Sequence, residues 1–271
     1  MLGFFYHTLI GRLILRLLCA PALSRMAGWF LDRGASRILI RPFVRKNNID
    51  LSLCADTDFK SFNDCFSRRL KPELRPVDYA PDALIAPCDA LLNVYSIRSG
   101  SVFPAKQSYY SVADLLGDAD QAKLFNGGLC LVFRLCVHHY HRYIYFDDGR
   151  EIGRRKIAGV LHTVRPIALE QYPVFVRNAR ECTLIDTDHF GPAAQIEIGA
   201  MLVGKIENHP PKACVRRGEE KGLFRYGGST IVVLLGKGRA TIDEAYMTGT
   251  ETPVVMGQRI GSKVEADQNV R

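Results

Sequence analysis

The sequence predicts an α+β protein: a largely antiparallel β body with a few helices, preceded by N-terminal amphipathic helices. Three observations carry this. From about Leu84 onward the chain breaks into short apolar or alternating runs bounded by Gly, Pro and Asn, the mark of strands joined by tight turns. Within that region a single stretch, Val112 to Phe125, has helical character, closed by Asn126-Gly127-Gly128. Ahead of it lies a segment that is both apolar and basic. No internal repeat or low-complexity tract interrupts the chain, and the part behind residue 50 reads as one domain.

In the front segment, Leu9, Leu13 and Leu17 form one helical stripe and Ile10, Ile14 and Leu18 the next, with Arg12 and Arg16 four residues apart on an adjoining face. Pro21 ends this helix, and a second apolar piece runs from Leu23 to Leu31. A membrane span needs ~20 mostly apolar residues. A charge at its centre costs roughly 2.5–3.5 kcal/mol, so Arg12 and Arg16 argue against spanning. A secretory leader is disfavoured because no basic region precedes the apolar stretch. Two readings remain: a helix pair lying on an anionic membrane surface, or an N-terminal helix packed on the body with its arginines snorkelling into water.

Of 271 residues, 36 are Lys or Arg and 28 Asp or Glu, a net charge of +8. Residues 1–50 hold eight basic side chains and two acidic ones, so most of that excess sits in the first fifth of the chain. A localised anionic partner fits this pattern, and a uniformly basic nucleic-acid binder does not. The eight cysteines form no Cys-x-x-Cys pair and several lie inside apolar runs, as in Leu129-Cys130-Leu131. They read as free, buried thiols of a reducing compartment.

Along the body, Ser61 to Leu70 reads as a short helix with Phe59, Phe62 and Phe66 on one side, closed by Pro72 and Pro76. Candidate strands are 92–97, 128–137, 140–146, 174–177, 182–186, 194–206 and 230–235.

Three places could carry chemistry. In Val137-His138-His139-Tyr140-His141-Arg142-Tyr143, a strand would put His139 and His141 on one face. That suits a general acid–base histidine. It also suits a metal site completed by His162 or Asp89, or simply a polar strand. In Pro87-Cys88-Asp89-Ala90 a lone acid stands in an apolar stretch, as a turn residue or as a buried carboxylate orienting a base. In Tyr226-Gly227-Gly228-Ser229-Thr230 two glycines lead into a hydroxyl pair that opens an apolar strand. No Gly-Lys-Ser/Thr follows, so this is not a phosphate loop. It is a tight turn, or a strained Gly-Ser bond whose hydroxyl attacks its own preceding carbonyl.

Taken in order, these and other segments resemble the phosphatidylserine decarboxylase family. The segments are Phe62-Asn63-Asp64-Cys65-Phe66-Ser67-Arg68-Arg69-Leu70 with Arg75-Pro76, Ala86-Pro87-Cys88-Asp89, Tyr140-His141-Arg142, Phe190-Gly191, Glu197-Ile198-Gly199-Ala200 with Val203-Gly204, Glu219-Glu220-Lys221-Gly222, and Gly227-Gly228-Ser229-Thr230. The resemblance spans about residues 40–262 and is closest to the branch carrying Gly-Gly-Ser-Thr in place of Leu-Gly-Ser-Thr. It implies a self-processing proenzyme. Ser229 attacks the Gly228 carbonyl, and elimination and hydrolysis then leave a β chain, 1–228, and an α chain, 229–271. Ser229 becomes a pyruvoyl group, the electron sink for decarboxylating phosphatidylserine to phosphatidylethanolamine.

The resemblance also implies that an Asp and a His assist the serine. Asp89 matches the first by its context. The relay histidine of many members falls here on Ile144, so His141 is the candidate base and His162 the fallback. His139 stands where the family has Asp, and Ala90 where it has Gly. No metal is implied. The domain reading is an amphipathic membrane-associating segment over 1–45 and a catalytic domain over 46–271, peripheral to the cytoplasmic face of a membrane. The partners are anionic phospholipid, the substrate and the two cleaved chains, without nucleic acid. The alternative is a non-processing lipid-binding relative of the same fold.

Overall fold

A computed structural model describes residues 21–98, 100, 102–105, 108–160, 174–200, 205–227 and 229–264. Fifteen strands lie within these residues, in chain order β1 (Ala83–Ile85), β2 (Ala90–Ser96), β3 (Val102–Ala105), β4 (Ser108–Ser111), β5 (Leu129–Leu135), β6 (Arg142–Ile144), β7 (Gly149–Ile157), β8 (Arg180–Thr187), β9 (Gly191–Gly199), β10 (Ile206–Asn208), β11 (Glu220–Phe224), β12 (Ser229–Leu235), β13 (Ala240–Ile242), β14 (Thr252–Val254) and β15 (Arg259–Lys263). Seven of them form one antiparallel sheet in the order β14-β2-β5-β12-β9-β8-β7. The α+β expectation holds.

Strand β12 is flanked on both edges, by β5 and β9, and its side chains are buried on both faces. Hence Thr-Ile-Val-Val-Leu-Leu reads as an unbroken apolar run and not as an alternation. On one face, Val232 and Leu234 join Cys130, Val132 and Ile196 under helical segments carrying Leu115, Phe125 and Phe175. On the other, Ile231, Val233 and Leu235 join Leu131, Phe133, Phe146, Phe190 and Phe224. The small sheets β10-β11-β6 and β1-β15-β13 contribute to that second core.

Several local readings are corrected. The helix over 112–125 is three short pieces, Val112–Leu116, Ala119–Ala122 and a 3-10 turn Lys123–Phe125. Gly117, at φ 67°, ends the first, and the Asp118 side chain caps the second. The helix at 61–70 is one turn, Phe62–Phe66, capped by the Ser61 side chain. Residues 174–177 are helical, and 194–206 divides into β9 and β10. The strand at 140–146 shrinks to β6, because 136–139 close a turn through the His139 N–H to the Cys136 carbonyl. Strand β7, rich in charge, escaped the sequence reading because it is an edge strand with a largely solvated face.

The described cysteines are free, and five of them (Cys54, Cys65, Cys88, Cys130, Cys182) are buried. Among the described residues no helix is long and apolar enough to cross a membrane. The first amphipathic helix, over residues 9–18, lies outside the described residues. The second piece is helical over Pro21–Leu31. Leu31 and Ala27 pack on Phe62 and Phe66, while Met26, Trp29 and Phe30 stay exposed.

Between the large sheet and β10-β11-β6 lies a buried polar layer. Lys221 donates to Glu197 at 2.6 Å, with neither side chain exposed. Asn208 donates to the same carboxylate, and the Tyr143 hydroxyl donates to Asn208. Burial draws Lys221 and Glu197 each toward its neutral form, and the partner's charge opposes that. Removing one partner alone strands the other. Lys221→Met on an uncleaved Ser229→Ala chain should therefore cost about 3–5 kcal/mol in urea unfolding. Adding Glu197→Leu should recover most of that loss.

Candidate active site

Ser229 opens β12. Its backbone pairs with Leu135 on one side and Gly199 on the other, and the residue is fully buried. The chain enters this position through Gly227, whose φ of 141° is open to glycine and strained for other residues. Gly228, whose carbonyl the sequence reading makes the target, lies outside the described residues, as does His162.

The Ser229 hydroxyl lies 3.3 Å from His141 Nδ1. The other ring nitrogen, Nε2, is 3.0 Å from the Cys136 carbonyl oxygen. A carbonyl only accepts, so Nε2 carries the proton and Nδ1 presents a bare lone pair. The serine hydroxyl is then the donor in the Ser229–His141 contact. One backbone carbonyl thus sets the histidine up as a proton acceptor. Burial lowers the His141 pKa to about 3, because water is absent to solvate the imidazolium. The ring is neutral over the whole physiological range.

The turn around His141 is tightly cross-braced. Cys136 donates its N–H to His139 Nδ1, and its carbonyl also accepts from the His139 N–H. His139 and His141 therefore do not line one strand face as the sequence suggested; they hang from a turn closed by Cys136. Both His141 nitrogens are engaged in hydrogen bonds. The compact donor cluster among the described residues is Asp147, Asp148 and His189, where Arg217 already pairs with Asp147 at 2.7 Å.

Asp89 does not join this pair. Both its oxygens are gripped by Arg75, through Nε at 2.7 Å and Nη2 at 2.5 Å, and one also accepts from the Met256 N–H. Among the described residues none of its hydrogen bonds goes to His141 or Ser229. Its field acts on His139, whose pKa falls to about 4 through burial first and the neighbouring His138 second; Asp89 works against that fall. Ile144 is buried in the second core, and its N–H donates to the Pro87 carbonyl beside Asp89.

The segment 61–68 supports the site, a role the sequence reading did not assign. The Phe66 ring stacks on His141 at 4.1 Å between centroids, tilted by 32°. Phe62 and Phe66 both meet Tyr226 edge-on, at 4.9 and 5.2 Å. Buried Asn63 accepts from the Tyr226 N–H and donates to Asp32. It thereby ties the chain leading to Ser229 to the end of the exposed N-terminal helix. The signal for this role was present in the aromatic spacing Phe62/Phe66, but not its target.

The phosphatidylserine decarboxylase family model matches residues 62–262. The chain is 39% identical to phosphatidylserine decarboxylase proenzyme 2 of Clostridium acetobutylicum, over 96% of this chain and 91% of that protein. It is 38% identical to the phosphatidylserine decarboxylase proenzymes of Clostridium perfringens (95% and 91%) and Ruminiclostridium cellulolyticum (98% and 92%).

The His141 environment sets a pH dependence. The folded pKa, about 3, lies below the ordinary value of 6.5, so the unfolded chain binds the proton first as pH falls. The stability this neutral ring contributes is complete above pH 6.5 and declines on acidification toward pH 3. On a Ser229→Ala background, His141→Gln should flatten the dependence of unfolding free energy on pH between 6 and 4 by up to about 1.4 kcal/mol per pH unit. Urea titrations at stepped pH measure this slope, and an unchanged slope would place the titrating group elsewhere.

Proposed function

The chain belongs to the phosphatidylserine decarboxylase family, and from that premise we propose how its own residues perform self-processing and then decarboxylation. It is a carboxy-lyase converting phosphatidylserine to phosphatidylethanolamine, made as a proenzyme. The observation that carries the residue assignment is the buried Ser229 hydroxyl directed at the bare Nδ1 of a neutral histidine.

In the proposed processing, His141 Nδ1 takes the hydroxyl proton while Ser229 Oγ bonds to the Gly228 carbonyl carbon. The Gly228–Ser229 C–N bond breaks, the proton passes to the freed Ser229 amine, and an ester remains. Loss of the Ser229 Cα proton and cleavage of the Cβ–O bond then release residues 1–228 with a C-terminal carboxylate. Water replaces the resulting enamine nitrogen as ammonia, and a pyruvoyl group heads residues 229–271. A base of such low proton affinity makes this slow, which a once-only reaction tolerates.

The surroundings suit that group. Ser229 is buried and clamped between two strands, so the ketone derived from it would be held at a fixed point. The pyruvoyl group supplies an electron sink for the bond to CO2. The protein's part is orientation and proton handling: Phe66 fixes the His141 ring plane, Cys136 its tautomer, and the Arg75–Asp89 pair anchors the 87–90 turn to the 256 loop. Asp89 acts at one remove and not as a direct relay.

Residues 1–45 form, in this reading, the membrane-associating segment, and residues 46–271 the catalytic domain. Trp29, Met26 and Ile38 expose 61%, 69% and 75% of their surface in a stretch of chain that also carries Arg33, Arg37, Arg41, Arg45 and Lys46. Arg33 stacks over the Trp29 ring at 3.8 Å. Apolar wedges among cations suit an anionic leaflet, to which the protein binds peripherally.

Intact-mass analysis should find two pieces, 1–228 and 229–271, the smaller one blocked to Edman degradation. Ser229→Ala should remain one chain, and His141→Ala should slow processing by about 10²–10⁴-fold. An intact wild-type chain that still binds lipid would instead indicate a non-processing relative. Trp29→Ser with Ile38→Ser should lower sedimentation with phosphatidylserine vesicles about ten-fold while leaving processing unchanged.

A further inference from the structure

Three guanidinium groups are buried among the described residues: Arg68, Arg180 and Arg217. Arg217 is neutralised by Asp147 at 2.7 Å, although its Nε is unbonded. Arg180 has no described acid within 4.0 Å, but every nitrogen donates to backbone carbonyls at 2.6–3.1 Å. Arg68 has neither kind of compensation. No described acid lies within 4.0 Å of it, and its Nε has no hydrogen-bond partner. Its other nitrogens reach three carbonyls, those of Phe66 at 3.4 Å, His138 at 3.1 Å and His139 at 3.5 Å, of which only the His138 contact is of ordinary length. A buried guanidinium so poorly matched costs several kcal/mol unless an anion completes it.

Two other arginines show what completes it. Arg75 and Arg134 each grip a carboxylate along the edge formed by Nε and Nη2. On Arg68 the Nε half of that edge is empty. Arg68 donates to the turn that delivers His141, and Phe66, two residues earlier, stacks on the His141 ring.

We infer that Arg68 receives the substrate's phosphodiester in the processed enzyme. This rests on the phosphatidylserine decarboxylase reading above. The substrate offers two anions to this edge. The carboxylate loses its charge as CO2 departs, so a cation bound to it would stabilise the ground state over the transition state and oppose the reaction. The phosphodiester keeps its charge throughout and can be held tightly at no cost to the chemical step. The Arg68 Nε–H can donate to one of its free oxygens while Nη2 stays on the His138 carbonyl.

The test uses processed wild type, Arg68→Gln and Arg68→Lys, with dihexanoyl phosphatidylserine as substrate and dihexanoyl phosphatidylethanolamine, which has the phosphodiester but no carboxylate, as product inhibitor. Arg68→Gln should raise KM about ten-fold or more, raise the inhibition constant of the product by a similar factor, and leave kcat within about two-fold. Arg68→Lys should fall between, keeping charge but losing the Nε donor; if Arg68→Gln does not accumulate as processed enzyme, Arg68→Lys carries the comparison. An unmoved KM overturns the inference, as does a raised KM with an unmoved product constant, which would assign Arg68 to the carboxylate. A fall in kcat alone also overturns it, assigning the arginine to the positioning of His141. Wild type that leaves phosphatidylserine unchanged would instead overturn the reading on which the inference rests.

Discussion

The hydrogen bond from Ser229 to His141 is sealed from water, and most of the structure serves that condition. A serine hydroxyl and an imidazole at 3.3 Å would exchange partners with solvent on any exposed surface. Here the serine opens a strand whose neighbours pair with it on both edges, and both faces of that strand lie in apolar cores. The histidine rests neutral, because burial penalises the imidazolium, and it cannot choose its tautomer, because the Cys136 carbonyl demands a donor. Preorganisation of this kind removes the alternatives before the reaction begins.

The same constraint explains the charge pattern around the site. Arg75, Arg134 and Arg142 all reach the neighbourhood of the 134–142 turn, and each is tied to an acid, Asp89, Glu251 and Glu220 in turn. Paired cations hold chain segments together without placing net charge on His141. Arg68 departs from the rule. Its guanidinium sits among carbonyl oxygens, and its positive charge further disfavours protonation of His141. Asn63 adds a mechanical link: the same buried amide holds Asp32 at the end of the exposed helix and Tyr226 ahead of Ser229. Two hydrogen bonds through Asn63 therefore join the end of the exposed helix to Tyr226, on the chain entering Ser229.

Much of the fold was legible in the chain. The run 230–235 announced an apolar strand, the Gly227-Gly228 pair a special backbone, and the cysteines inside apolar runs free thiols. What misled was local. Val112 to Phe125 has helical composition throughout, yet Gly117 and Asp118 supply a stop and a new start inside it. Histidines at alternating positions suggested a strand, and a backbone hydrogen bond to Cys136 made a turn. Charged β7 gave no strand signal because edge strands need not bury alternate residues.

By itself the sequence determined the ordered set of motifs, the serine that follows two glycines, and the basic, apolar front end. These are properties of residues adjacent in the chain, so their physics is readable there. Only the tertiary structure decided which histidine meets Ser229, 88 residues away, that Asp89 is spent on Arg75, and that, among the described residues, Arg68 is the buried arginine lacking both an acid and a full set of carbonyls. Side-chain partnerships across such separations depend on sheet register and packing, and on burial, which converts a histidine into a fixed neutral acceptor. No local pattern encodes them.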